Sequence, residues 1–135
     1  MHTVLVLGAG KIGALISGLL AGSGAYRVWL ADRPPGTAAA VARAHALPEI
    51  RPLQLDAADP AALAAQLREQ PVQALVSGLP YHCNALVAAA AREAGVHYFD
   101  LTEDVAVTRR VAALAHEAPS AFVPQCGLAP GFISI

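Results

Sequence analysis

The chain has 135 residues, the length of one ordinary domain, and is 56% hydrophobic but only 14% charged, which excludes intrinsic disorder. Its net charge of −1 offers no basic surface for nucleic acid. Prolines and polar residues interrupt every long apolar stretch, so we expect no membrane span. Two cysteines, Cys83 and Cys126, without a secretory signal predict a soluble, cytoplasmic protein with reduced thiols.

Six short apolar runs recur along the chain, and we predict that each of them forms a strand. The runs do not alternate apolar with polar residues, which is typical of strands buried on both faces of a sheet. In chain order the predicted strands are Thr3–Leu7, Arg27–Ala31, Ile50–Leu55, Ala74–Ser77, His97–Leu101 and Ala121–Pro124.

An alanine-rich segment follows each of the first five runs. Residues typical of helix starts and helix ends flank several of these segments. Asp59-Pro60 combines an N-cap residue with a proline in the first turn, and Asp104 can cap the last helix. Gly95 suits a left-handed C-cap. The predicted helices are Ile12–Ala21, Thr37–Ala46, Ala61–Gln70, Ala85–Ala94 and Val105–Glu117.

This alternation of strands and helices predicts an α/β fold, with one doubly wound parallel sheet and helices on both faces. No repeat or linker interrupts the pattern, so we expect residues 1–135 to form one domain. We expect the strand order 3-2-1-4-5-6, in which strands one and four flank the point where the order reverses. In such sheets ligands bind there, outside the carboxyl ends of the strands.

The first predicted strand runs into Gly8-Ala9-Gly10-Lys11-Ile12-Gly13, a G-x-G-x-x-G pattern at the start of a helix. The pattern alone is weak, but the second strand ends in Asp32, nineteen residues after Gly13, as in dinucleotide-binding sites. Gly8 permits the tight turn, Gly10 lets the backbone approach a pyrophosphate, and Gly13 lets the helix pack closely on the strand. The helix N-terminus then offers N–H groups to the phosphates.

Asp32 and Arg33 bear on which dinucleotide binds. The Asp32 carboxylate can accept hydrogen bonds from ribose hydroxyls and would repel a 2′-phosphate, which favours NAD(H). The Arg33 guanidinium could stack on adenine or reach a 2′-phosphate, so NADP(H) stays open. Lys11, the only lysine, either approaches the pyrophosphate or is solvated. Asp56, which precedes Ala57 after the third strand, either contacts adenine or organises the turn.

The loop after the fourth strand should lie near the nicotinamide end of a bound dinucleotide. In it, Tyr81 and His82 have useful acid–base character, since an imidazole titrates near neutrality and a tyrosine hydroxyl can donate to a developing anion. Alternatively Tyr81 packs on the loop, and His82 or Asn84 caps the next helix. The predicted cofactor-contacting residues are Gly8, Gly10, Lys11, Ile12, Gly13, Asp32, Arg33, Asp56, Ala57, Gly78, Leu79 and Pro80.

Three acids follow the fifth strand, in the segment Asp100-Leu101-Thr102-Glu103-Asp104. They could meet a cationic amine substrate, although Asp104 also suits an N-cap and Glu103 a solvated first turn. Our candidate catalytic residues are therefore Tyr81, His82 and Glu103. We expect no nucleophilic role for Cys126, and the spacing of His, Cys, Asp and Glu predicts no metal site.

These segments resemble the nucleotide-binding domain of the saccharopine dehydrogenase family, and within it the lysine 6-dehydrogenase-like proteins. The last two of the matching stretches are the more specific, because general dinucleotide-binding domains lack them. The stretches, which together span the chain, are Val4–Gly13, Ala31–Arg33, Gly78–Tyr81, Gly95–Asp104 and Val123–Gly131.

The resemblance implies an NAD(P)-dependent oxidoreductase that acts on the C–N bond of an amino acid or its imine. In the family, a second domain follows the Gly-Leu-Ala-Pro-Gly segment and supplies much of the substrate site. We therefore expect this chain to be the N-terminal domain of a longer enzyme that binds NAD or NADP and does not turn over its substrate alone. An exposed apolar C-terminal strand could also pair two copies into a homodimer.

Two other functions use similar motifs. A nucleotide-sensing regulatory module, such as those that gate potassium transport, shares the glycine loop and the acid after strand two. A domain that binds S-adenosylmethionine also uses a glycine loop and a ribose-binding acid, although the complete G-x-G-x-x-G pattern favours a pyrophosphate. The substrate, the choice between NAD and NADP, and the oligomeric state stay open from the sequence.

Overall fold

The computed structural model describes residues 1–134 and contains one six-stranded sheet with the order β3-β2-β1-β4-β5-β6 and parallel pairing throughout. The strands are β1 (His2–Leu7), β2 (Tyr26–Asp32), β3 (Ile50–Gln54), β4 (Ala74–Ser77), β5 (His97–Asp100) and β6 (Phe122–Val123). The helices are α1 (Lys11–Gly22), α2 (Thr37–His45), α3 (Pro60–Glu69), α4 (Asn84–Ala94) and α5 (Val105–Ala115). Short 3-10 helices span Tyr81–Cys83 and Phe132–Ser134. The predicted fold class and strand order are confirmed.

Helices cover both faces of the sheet, and strand β1 shows how its side chains divide between them. Leu5 and Leu7 point into a core cluster that also contains residues of α3, α4 and α5. Val4 and Val6 point into a second cluster with residues of α1 and α2. Successive side chains of a strand alternate between faces, so a wholly apolar strand supplies both cores at once.

The predicted helix ends are present with their predicted chemistry. The Asp59 carboxylate accepts hydrogen bonds at the start of α3, where Pro60 occupies the first turn. Asp104 accepts the N–H of Val107 at 2.8 Å at the start of α5. Gly95 ends α4 in the left-handed region, with φ of 69°. These are local interactions, which is why residue type and spacing were enough to predict them.

Burial on both faces, which we expected of all six strands, is incomplete. The edge strand β3 exposes Arg51, Pro52 and Gln54. On the α1 side of the sheet, Val76 of β4 and Phe99 of β5 line an open apolar cavity of about 610 Å³. The expectation was wrong at these places because the core beneath α1 and α2 is built mainly from β1, β2 and β3, which leaves Val76 and Phe99 half-buried.

Strand β6 forms the other edge of the sheet and contains two residues, fewer than the predicted Ala121–Pro124. A strand this short presents few free backbone groups to a second chain. Strand β6 therefore gives no specific support for pairing of two copies, and the homodimer stays a prediction. Within residues 1–134, no helix combines the length and the apolar character needed to cross a membrane.

Candidate functional site

The loops after β1 and β4 touch through their backbones at the point where the strand order reverses. The Gly78 N–H donates to the Leu7 carbonyl at 2.8 Å. A Cβ added to Gly8 would lie 3.1 Å from the Gly78 carbonyl oxygen, and Gly8 has a φ of +93°. A Cβ on Gly78 would lie 3.1 Å from the Leu7 oxygen. Gly8 and Gly78 thus allow this close approach, a packing role for Gly78 that the sequence did not reveal.

The glycines after Gly8 have different surroundings. A Cβ on Gly13 would overlap the Gly8 carbonyl oxygen, so this glycine holds α1 close to the end of β1. Gly10 is exposed, and a Cβ there would meet nothing within 4 Å. Helix α1 begins at the next residue, and within the described residues no side chain caps this end. The first-turn N–H groups are therefore available to a ligand beside an open space at Gly10.

Asp32 at the end of β2 links its strand to the glycine loop. One carboxylate oxygen accepts the Ala9 N–H at 2.8 Å, and the other accepts the Arg33 N–H at 2.7 Å. These bonds fix the half-buried carboxylate beside the loop. Because each carboxylate oxygen can accept more than one hydrogen bond, Asp32 keeps the capacity to bind a ribose hydroxyl.

Two cavities lie at the carboxyl edge of the sheet, and the loop Gly78–Cys83 runs between them. The β2-side cavity, of about 380 Å³, is lined by Leu7, Gly8, Ala31, Asp32, Arg33, Pro34, Leu55, Asp56, Ala57, Ala58, Leu79, Pro80, His82 and Cys83. The β5-side cavity, of about 490 Å³, is lined by Ile12, Gly78, Leu79, Tyr81, Leu101, Thr102, Glu103 and Asp104. Volumes in this range are typical of small-molecule sites.

Most of the predicted cofactor residues therefore meet around these cavities. Ile12 lines the β5-side cavity, and Arg33, Asp56 and Ala57 line the β2-side cavity. The Asp56 carboxylate also accepts the Ala58 N–H at 3.0 Å, so it organises its turn as well. Lys11 is exposed at the first position of α1.

The three candidate catalytic residues do not share one cavity. Tyr81 and Glu103 line the β5-side cavity, whereas His82 lines the β2-side cavity. Tyr81 and His82 are adjacent in the one-turn 3-10 helix, with ring centroids 5.8 Å apart and ring planes at 84°. The two rings are thus close together, although the residues border different cavities.

The three acids after β5 also have different surroundings. Asp100 is fully buried, Asp104 caps α5, and Glu103 is exposed beside the β5-side cavity. Asp104 lines the same cavity but is half-buried, so Glu103 is the most exposed of the three carboxylates.

Asp100 belongs to a buried network that sequence reasoning missed. Its carboxylate accepts the Tyr98 hydroxyl at 2.8 Å and the N–H groups of Thr102 and Gln125 at 3.0 Å each. Burial and the Asp100 carboxylate raise the pKa of the Tyr98 hydroxyl far above its usual value. The i, i+2 spacing of Tyr98 and Asp100 in one strand was the available signal, because such residues share a face. The network ties the loops after β5 and β6 together.

Ser77 and Asn84 form a second buried contact beneath the loop between the cavities. The Ser77 hydroxyl donates to the Asn84 side-chain oxygen at 2.7 Å, and both residues are buried. The contact joins the end of β4 to the first residue of α4. It fixes both ends of the loop that carries Tyr81 and His82.

Cys126 follows β6, and its sulfur lies 3.1 Å from the Val123 carbonyl oxygen. Partial burial of the sulfur and the nearby Asp100 carboxylate raise the pKa of this thiol. We therefore expect alkylation of Cys126 by iodoacetamide, followed by mass spectrometry, to need a higher pH in the folded chain than in the urea-unfolded chain. Coincident rate–pH profiles would contradict this. Within residues 1–134, no three His, Cys, Asp or Glu side chains cluster as metal ligands do.

A family model for the saccharopine dehydrogenase NADP-binding domain matches residues 4–125. The chain belongs to this family. The resemblance drawn from the sequence is thereby confirmed, and so is the expectation of a nicotinamide dinucleotide as cofactor. A comparison with curated proteins finds no match.

Solved structures share the fold of this NADP-binding domain. Saccharopine dehydrogenase (L-Glu forming) from Saccharomyces cerevisiae superposes with a TM-score of 0.84 at 23% identity, over 97% of this chain and 28% of its own. WlbA dehydrogenase from Chromobacterium violaceum, in complex with NADH and UDP-GlcNAcA, gives 0.70 at 14% identity, over 91% and 34%. Biliverdin reductase from Synechocystis, in complex with biliverdin and NADP+, gives 0.69 at 17%, over 90% and 37%. The chain thus spans between about a quarter and two fifths of these proteins.

Proposed function

We propose that this chain is the cofactor domain of an oxidoreductase that moves a hydride between nicotinamide and a carbon bearing an amine. The substrate class is an amino acid or its imine. The observation that carries the dinucleotide part is the open space at Gly10, beside the free end of α1, in a segment whose Gly8 lines one cavity and whose Ile12 lines the other. A dinucleotide is itself two nucleosides joined by a pyrophosphate, so its three parts correspond to this arrangement.

In the proposed complex the pyrophosphate lies over Gly10, where the N–H groups at the start of α1 face its charge. The adenosine lies in the β2-side cavity, within reach of the Asp32 carboxylate. The nicotinamide lies in the β5-side cavity, near Tyr81 and Glu103. This direction follows from Asp32, because the acid at the end of the second strand binds the adenosine ribose in such sites.

The residues of the β5-side cavity can serve chemistry at a C–N bond. The bound nicotinamide would supply or accept the hydride. The exposed Glu103 carboxylate would attract a cationic amine. Tyr81 is 57% exposed, and its hydroxyl can donate a hydrogen bond to the substrate or accept one from it. Further substrate contacts would come from outside this chain. We therefore expect the chain to be inactive alone, and we expect it to be cytoplasmic.

A nucleotide-sensing module without catalytic activity is the alternative. It would bind the same dinucleotide and would need no side chain in the β5-side cavity. The presence of both Tyr81 and Glu103 in the lining of that cavity favours the enzyme. A domain that binds S-adenosylmethionine would leave the space at Gly10 unfilled, because that ligand has no pyrophosphate.

Calorimetric titration of the 135-residue chain with NADH, NADPH and S-adenosylmethionine at moderate salt tests the proposal. We expect a dinucleotide to bind and S-adenosylmethionine not to bind. Binding of S-adenosylmethionine instead, or of none of the three, would contradict the assignment of the glycine loop to a pyrophosphate.

Asp32→Ala should weaken NADH by about ten- to hundredfold, the usual effect of losing hydrogen bonds to a charged group. NADPH should lose less, because the substitution also removes a carboxylate that repels the 2′-phosphate. Asp56→Ala is the matched control, since Asp56 lines the same cavity but is not assigned to the ribose, so any loss there should be equal for the two dinucleotides. Equal losses of NADH and NADPH in Asp32→Ala would overturn the ribose assignment. Thermal unfolding checks the fold, because Asp32 also holds Ala9.

A further inference from the structure

The division of Tyr81 and His82 between two cavities has a consequence for the roles of both residues. The 3-10 helix Tyr81–Cys83 begins after Pro80, and the Cys83 N–H donates to the Pro80 carbonyl at 2.9 Å. This one-turn hydrogen bond fixes the turn, and the Ser77–Asn84 contact anchors the loop on either side. The loop thus holds the backbone of His82 beside the β2-side cavity, which this exposed residue lines.

We propose that His82 binds the adenosine half of the dinucleotide and takes no part in proton transfer at the reacting carbon. The assignment rests on the proposed function, in which the β2-side cavity holds the adenosine. His82 lines that cavity together with Asp32, Arg33 and Asp56. The candidate catalytic residues at the reacting end then reduce to Tyr81 and Glu103.

The hydrogen-bonding groups of the β2-side cavity show what His82 contributes. Ionised Asp32 and Asp56 offer acceptors alone, and their carboxylates already accept backbone N–H groups. Adenine ring nitrogens and ribose oxygens can also accept hydrogen bonds, which requires donors in the cavity. The side chains of Arg33 and His82 supply them, the first from the end of β2 and the second from the loop after β4. A neutral imidazole offers one donor, so this role does not require the charged form.

The remaining wall of the cavity suits the base. Leu55, Ala57 and Pro80 present apolar surface, against which the flat face of adenine can pack. His82 lies in the same loop as Pro80, two residues after it. Its imidazole can therefore reach an edge of a base that lies on this apolar surface.

The test separates the two halves of the ligand by comparing ADP-ribose, which lacks nicotinamide, with NADH. Both are titrated calorimetrically into the 135-residue chain and into His82→Leu. The matched control is His116→Leu, the same substitution at an exposed histidine at the end of α5, which should leave both affinities unchanged. Thermal unfolding of each variant confirms that it is folded.

We expect His82→Leu to weaken ADP-ribose and NADH by the same factor, about three- to tenfold, as for one lost hydrogen bond. If NADH weakens and ADP-ribose does not, His82 acts at the nicotinamide end and the proposal is wrong. Unchanged affinities for both ligands would also overturn it. Failure of the proposed function is distinct, because the unsubstituted chain would then bind neither ligand.

Discussion

We expect Gly10→Val to abolish dinucleotide binding while the domain stays folded. The fold tolerates the side chain because a Cβ at Gly10 meets no protein atom within 4 Å, and because Gly10 has the extended backbone (φ −72°, ψ −170°) that valine readily adopts. The pyrophosphate does not tolerate it, since the branched side chain fills the space where the phosphates approach the backbone. Affinity for NADH should fall by about a hundredfold or more, a loss of about 3 kcal/mol.

The measurement for Gly10→Val is calorimetric titration alongside thermal unfolding. Gly22→Val is the matched control, because Gly22 is the last residue of α1 and also has nothing within 4 Å of an added Cβ. It should bind NADH like the unsubstituted chain. A small decrease in stability is expected for Gly10→Val, since valine is a poorer N-cap than glycine. Retained affinity in Gly10→Val would refute the phosphate assignment.

Gly13→Ala should damage the fold itself. A Cβ at Gly13 overlaps the carbonyl oxygen of Gly8, and Gly8 is itself held to β2 by its N–H, which donates to the Ala31 carbonyl at 2.8 Å. Relief requires α1 to move away from the sheet and from its packing partners in the core. We expect the free energy of unfolding to fall by about 3 kcal/mol, at the upper end for an overpacked core position.

Urea denaturation measures this loss, and Gly22→Ala supplies the comparison. The chemical change and the helix are the same, but Gly22 is exposed and has room for a methyl group. Alanine there should stabilise the helix by up to about 1 kcal/mol. Equal denaturation midpoints for Gly13→Ala and the unsubstituted chain would mean that α1 can shift freely. The close packing would then not be the reason for glycine at this position.

The order of the strands and helices and the family could be predicted from residue patterns alone. The caps at Asp59 and Asp104 and the left-handed end at Gly95 depend on interactions between residues a few positions apart, so residue type and spacing were sufficient. The glycine loop and Asp32 were predictable for a related reason. A parallel sheet brings the ends of β1 and β2 together once their order is known, and Asp32 indeed bonds Ala9.

The residues that line each cavity could not be predicted from the sequence in the same way. Tyr81 and His82 are neighbours in sequence and their rings lie 5.8 Å apart, yet they border different cavities. Asp100 and Glu103 look alike in sequence, yet Asp100 is buried and accepts a hydrogen bond from the distant Gln125 as well as from Tyr98, whereas Glu103 is exposed. Burial and orientation depend on contacts across the sheet, and those contacts exist only once the chain has folded.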